Sequence, residues 1–138
     1  MSNALVPELA VSDCAASLRF YVDVLGFALR YRRAEEGFAY LALGEAELML
    51  DQIGLGRDFD PTLSAGPLGR GLNLQIGVPT LGPILASLRR HDVALALGPE
   101  ERWYRRGGEE VGQRQLVVAD PDGYLLRFQE PLGTRPAR

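Results

Sequence analysis

A chain of 138 residues, 46% hydrophobic and 24% charged, has the size and balance of one globular domain with a real core. A formal net charge of −3 argues against a nucleic-acid footprint, no run approaches the roughly 18 apolar residues of a membrane span, and the first residues lack the basic start and apolar stretch of a secretory signal, so the expected location is the cytoplasm. The lone Cys14 cannot form an intrachain disulfide, and the fifteen basic residues are all Arg, which removes lysine Schiff-base and lysine general-base chemistry.

Residues 4–11 read as extended, and Ser12-Asp13 then offers cap chemistry for a helix carrying Leu18, Tyr21, Val22 and Leu25 on one stripe, ended by Gly26. Phe27 to Arg33, Phe38 to Leu43 and Glu47 to Ile53 follow as strand-like runs, with Glu35-Glu36-Gly37 and Gly44-Glu45-Ala46 as turns. This gives a β-α-β-β-β module over about 4–53. Residues 54–70 are rich in Gly, Pro, Asp and Ser without periodicity and read as a linker or lid. The pattern then starts again over about 71–131. Leu72 to Val78 is a strand, and Thr80 caps a helix bearing Leu81, Ile84, Leu85 and Leu88. His91-Asp92 closes that helix, and Val93 to Leu97, Gln115 to Ala119 and Leu125 to Glu130 follow as strands. Val11-Ser12-Asp13 and Val78-Pro79-Thr80 are equivalent junctions of an internal duplication. The tail, 132–138, has breaker composition and is expected to fray.

The strands have two characters. Asp120-Pro121-Asp122-Gly123-Tyr124 is a tight turn that pins the register of the last strand, with Leu126 and Phe128 on one face and Arg127 and Gln129 on the other. Leu72, Leu74, Ile76 and Val78 likewise oppose Asn73, Gln75 and Gly77, and Leu48 and Leu50 oppose Glu47, Met49 and Asp51. If the helices cover the apolar faces, the polar faces are either plain solvent surface or the lining of a trough.

Val11-Ser12-Asp13, Ser17-Leu18-Arg19-Phe20-Tyr21 and Leu25-Gly26-Phe27 resemble the opening module of the vicinal oxygen chelate superfamily, and Gln113 to Tyr124 resembles its closing one. With Gly69 to Gln75 and Glu101 to Arg105 added, the chain is similar end to end to the glyoxalase and bleomycin resistance protein family. The resemblance implies an α+β fold of two βαβββ modules that form a cup-shaped mixed sheet with helices on the outer face, within a single domain and usually in a homodimer. Catalytic members hold a divalent metal with His, Gln or Glu at four places, which fall here on Val6, Met49, Asn73 and Arg127. An apolar Val and a permanently cationic Arg cannot help hold such an ion, and a two-residue shift to Glu47 or Asp51 recovers only one ligand, so no metal and no other cofactor is expected. His91 is read as complementing a helix C-terminus, and Cys14 as a structural thiol.

Superfamily members without the metal include proteins that neutralise bleomycin by binding it. The resemblance therefore implies a metal-independent, non-catalytic small-molecule binding protein for a bleomycin-type antibiotic, and the charge balance and lack of an apolar span add the expectation of no nucleic-acid or membrane partner. Aromatic faces for such a ligand would come from Phe38, Trp103 and Tyr104, with Phe38 equally readable as a core residue. Glu47, Met49, Asp51, Asn73, Gln75, Arg127 and Gln129 complete the expected lining. Arg127 could instead pair with Glu8 or Glu47. The alternatives are a metal-independent enzyme acting on a small anionic substrate, with Glu47 or Asp51 as base and Arg127 as oxyanion stabiliser, and a metal-dependent glyoxalase or extradiol dioxygenase.

Overall fold

The computed structural model describes residues 2–56, 58–60, 62–63 and 67–138. The residues fall into two compact units, Met1–Gly71 with Asp120–Tyr124, and Leu72–Ala119 with Leu125–Arg138. Each unit holds one four-stranded sheet and one main helix.

In the first unit the order is β1 (Glu8–Val11), α1 (Cys14–Leu18), β2 (Ala28–Arg33), β3 (Phe38–Leu43) and β4 (Ala46–Gln52). The helix starts where Asp13, in extended conformation, accepts a hydrogen bond from the Ala16 N–H at 3.2 Å. It widens into a π-helical stretch, Arg19–Val24, whose last bond runs from the Leu25 N–H to the Phe20 carbonyl. Gly26, at φ 85°, then reverses the chain as expected. The strands pair in the order β1-β4-β3-β2, with β1 parallel to β4 and the other pairs antiparallel. One sheet face carries Leu9, Val11, Ala39, Leu41, Leu48 and Leu50, all buried, as are Tyr21, Leu25 and Phe27. The opposite face is taken by Glu8, Ala10, Glu47, Met49 and Asp51.

The second unit contains β5 (Asn73–Gly77), α2 (Gly82–Arg90), β6 (Leu97–Arg106), β7 (Glu109–Ala119) and β8 (Leu125–Pro136), paired in the order β5-β8-β7-β6 with β5 parallel to β8. Its core combines Ile76, Leu116, Val118, Leu126 and Phe128 with Leu81, Ile84, Leu85 and Leu88 around the helix. Helix α2 begins one residue later than the Thr80 cap implies. Leu81 is the cap residue, its N–H donates to Glu130 Oε1 at 2.8 Å, and Thr80 Oγ1 accepts from the Gly82 N–H. At the other end the His91 ring nitrogen lies 2.9 Å from the Ser87 carbonyl, so this imidazole belongs to the helix terminus.

Three expectations change. The strand read at Val93 to Leu97 is β6, ten residues long from Leu97, because the charged run Glu100 to Arg106 pairs along its length with β7. The strand read at Gln115 to Ala119 begins at Glu109. The tail set apart at 132–138 continues β8 to Pro136, with Gly133 opposite Gly112 and Arg135 opposite Glu110. Composition misleads there because backbone pairing and the Arg135–Glu110 ion pair at 2.7 Å hold a Gly- and Pro-containing edge in place. Of the segment read as linker or lid, residues 57, 61 and 64–66 lie outside the described residues.

Within the first unit, the Asp120–Tyr124 turn is tied down by one carboxylate. Asp120 Oδ1 accepts from the N–H groups of Asp122 and Tyr124, both at 2.9 Å, and Oδ2 accepts from the Tyr21 hydroxyl at 2.8 Å. The Tyr124 hydroxyl donates to the Ala10 carbonyl at 2.8 Å, and Asp122 Oδ2 accepts from the Ser12 N–H. Burial pushes the Asp120 carboxyl above its ordinary value, more than these hydrogen bonds lower it.

Asp120→Ala is expected to cost about 3 kcal/mol, since it leaves buried donors without an acceptor, and Tyr21→Phe about 1–2 kcal/mol; urea unfolding measures both. Because the folded-state pKa is raised, the protonated form is favoured on folding. This carboxyl therefore makes stability fall as pH rises from 3.8 towards the raised value, with no further change above it. Asp120→Asn should remove that component of the pH profile.

Candidate functional site

The hairpin register of the first unit builds an aromatic surface on the sheet face away from the core. Phe38 pairs with Arg33 and Tyr40 with Tyr31, so all four side chains project together. The rings of Tyr31 and Tyr40 stack at 5.2 Å and 14°, and Tyr31 meets Phe38 at 6.0 Å, tilted by 35°. The Arg33 guanidinium lies 4.0 Å from the Phe38 ring centre and pairs with Glu36 at 2.7 Å. Phe38 and Tyr40 are 7% and 8% exposed, whereas Tyr31 is 52% exposed, so one ring of the stack is open to solvent.

Two cavities flank this surface. One, of about 330 Å³, is lined by Ser2, Arg30, Tyr31, Tyr40 and Glu47. The other, of about 290 Å³, is lined by Glu8, Arg33, Phe38, Asp51 and Phe59 among others. In the first, Glu47 Oε1 accepts from the Asn3 N–H at 2.5 Å and Oε2 from the Tyr40 hydroxyl at 3.0 Å. These bonds, the backbone one first and aided by Arg30, hold the Glu47 carboxyl below its ordinary value. Gly37, at φ 63°, is required beside the surface, since a Cβ there would lie 2.6 Å from Gln52 Cβ.

The second unit presents a different face. In the register Leu97–Val117–Arg127–Gln75 runs as one row across the four strands, with Gln115, Gln129 and Gly77 in the next row and Ala119, Leu125 and Asn73 in the row on the other side. Gln115, 2% exposed, is fixed by three hydrogen bonds: it accepts from Gln113 at 2.6 Å and donates to Glu100 at 3.0 Å and to the Tyr104 hydroxyl at 2.8 Å. Arg127 is half-buried and its Nε is shielded from water with no hydrogen-bond partner.

The expected lining residues therefore divide by unit and by face. Phe38, Glu47, Met49 and Asp51 share the aromatic face of the first unit, while Asn73, Gln75, Arg127, Gln129 and Tyr104 share the polar face of the second. Trp103, next to Tyr104 on β6, points to the opposite face. Its ring lies across Gly112, where any Cβ would meet it at 2.6 Å, and the Arg135 guanidinium sits 4.1 Å from its centre. Sequence reading missed Tyr31 and Gln115. Tyr31 could have been found by counting back from the Glu35-Glu36-Gly37 turn, although a register shift between Leu29 and Tyr31 obscures the strand's alternation.

The residues at the four metal-ligand places do not fit a divalent ion. Val6 precedes β1, Met49 is a thioether paired with Glu8, Asn73 is a neutral amide and Arg127 is a cation. The nearby Glu47 already has both oxygens engaged. Among the described residues no three His, Cys, Asp or Glu side chains come together to hold a metal ion. Cys14 is buried, and burial, followed by the charges of Asp13 and Asp51, pushes its thiol above the ordinary value, which fits a packing role. No helix among the described residues is long and apolar enough to cross a membrane.

Known proteins match this arrangement along most of the chain. The sequence is 26% identical over 123 residues, 88% of this chain and 79% of the relative, to virulence protein STM3117 of Salmonella typhimurium strain LT2. The fold superposes on TioX from Micromonospora sp. ML1 with a TM-score of 0.72 at 21% identity, covering 95% of this chain and 100% of that one. It superposes on TnmS3, an antibiotic binding protein from Streptomyces sp. CB03234, with a TM-score of 0.65 at 25% identity, covering 95% and 97%. Residues 4–128 match the Glyoxalase/Bleomycin resistance protein/Dioxygenase superfamily. With its repeated βαβββ order and its two mixed four-stranded sheets, the chain belongs to that superfamily and has its α+β fold.

Proposed function

We propose that this protein binds and sequesters a flat aromatic small molecule without a metal, with bleomycin-type antibiotics as the first ligand class, and that it works as a homodimer in the cytoplasm. The observation that carries the reading is the Tyr31 ring, 52% exposed and already stacked on Tyr40, at the edge of a cavity with Glu47 and Arg30 on its wall. A planar ligand extends such a stack by covering its open ring, which adds about 0.5–1.5 kcal/mol beyond area burial. The carboxylate and guanidinium beside it supply orientation for polar substituents. The similarity to an antibiotic binding protein of the same fold supports the same class of ligand.

The enzymatic alternative finds less support. A general base needs a carboxyl whose pKa is raised towards neutrality, and Glu47 is shifted the other way by its Asn3 and Tyr40 hydrogen bonds. A metal-dependent lyase or dioxygenase needs ligands that Val6, Met49, Asn73 and Arg127 do not supply.

Titration calorimetry against bleomycin and a panel of planar aromatic antibiotics tests the proposal. Saturating ligand is expected to raise the thermal midpoint. Tyr31→Ala should weaken affinity about 3- to 10-fold while changing stability little, because that ring is half-exposed. Trp103→Ala is expected to lower stability through loss of the Gly112 and Arg135 contacts and to leave this affinity unchanged; the reverse result would move the cleft to β6. A chelator should have no effect on binding, and stoichiometric tightly bound metal in the purified protein would overturn the reading.

A further inference from the structure

We infer that the polar face of the second unit is a carboxylate site, in which Arg127 takes the anionic end of a small ligand whose apolar body lies against Val117, Leu97 and Leu125. The Arg127 Nε is shielded from water and has no hydrogen-bond partner. A guanidinium N–H left in that state is costly unless an acceptor arrives, and among the described residues Arg127 forms no hydrogen bond or ion pair. Within its own unit, among the described residues, no carboxylate pairs with it.

The neighbours on the sheet are neutral amides, which bring no competing negative charge. Gln75 lies directly across the parallel β5–β8 pair from Arg127, with side chains about 5 Å apart at their bases. Gln129 follows two residues along β8, and its amide nitrogen folds over Gly77, whose missing side chain leaves the room for it: a Cβ there would lie 3.0 Å from that nitrogen. The one carboxylate on this part of the face, Glu100, accepts from Gln115, which is itself locked by Gln113 and Tyr104. What is left is a planar cationic fork flanked by two amides, which matches the two coplanar oxygens of a carboxylate.

The rim sets the kind of carboxylate. Across β7 and β6 the same row continues as Val117 and Leu97, and Leu125 lies in the adjacent row. Leu97 and Leu125 are 43% and 36% exposed. An apolar strip beside a single cation favours an aromatic or branched aliphatic monocarboxylate over a hydrated polyanion such as phosphate.

Benzoate and its neutral isostere benzamide test this in the full chain, read by the arginine Nε–H resonances in a nitrogen-15 spectrum. The Arg127 signal is identified by its loss in Arg127→Lys. It should shift on titration with benzoate and stay still with benzamide. Arg127→Gln should weaken benzoate binding about tenfold or more, and Gln75→Leu by a smaller factor. No shift of the wild-type signal, equal affinity in Arg127→Gln, or tighter binding of inorganic phosphate than of benzoate would each overturn the assignment. The benzoate response should survive in Tyr31→Ala, so failure at this face and failure at the aromatic face of the first unit are distinguishable.

Discussion

The first unit is organised around a carboxylate that has been taken out of water. Asp120 spends one oxygen on the two backbone N–H groups of its own turn and the other on a tyrosine hydroxyl from the π-helical end of α1. The turn's second acid and its tyrosine reach Ser12 and Ala10, either side of the end of β1. Strand, helix and turn thus share one hydrogen-bonded cluster whose members lie about a hundred residues apart in the chain. The π-helical widening belongs to the same arrangement, because it fixes which way Tyr21 points while keeping Leu25 and Phe27 in the core.

Both sheets use one alternating pattern to separate cohesion from recognition. On each, most of the apolar set is buried, Leu72 ahead of β5 being an exception at 40% exposed, and the opposite set is left to specialise. The specialisations differ. In the first unit, aromatic rings brought into register by a hairpin form a surface that is mostly self-satisfied, with a single open ring. In the second, amides, a carboxylate and a hydroxyl lock one another around Gln115, and the Nε of Arg127 is left without a partner. Duplication of a module has given two copies of the frame and two chemistries on it.

Much of this is legible in the amino-acid sequence alone. The β-α-β-β-β order of each half, the apolar faces, the Asp13 cap and the terminal role of His91 all follow from local periodicity and cap chemistry, which are properties of short windows. What escaped were properties of pairing. β6 and the end of β8 are charged or broken by Gly and Pro, so their strand character comes from the partner across the ladder and from the Arg135–Glu110 pair. Tyr31 joins Tyr40 only once the hairpin register is known, and Trp103 and Tyr104, adjacent in sequence, part to opposite faces as soon as their segment is recognised as a strand. The unsatisfied Nε of Arg127 is a three-dimensional fact with no sequence signature.

Gly112 has a consequence of another kind. By letting the indole of Trp103 settle onto bare backbone beneath a guanidinium, it confines the chain's sole tryptophan to the far end of the β6-β7-β8 part of the sheet, on the face away from Gln115 and Arg127. The natural fluorophore is thus a reporter of whether that sheet is intact, and a silent witness to occupancy of the polar face of its own unit.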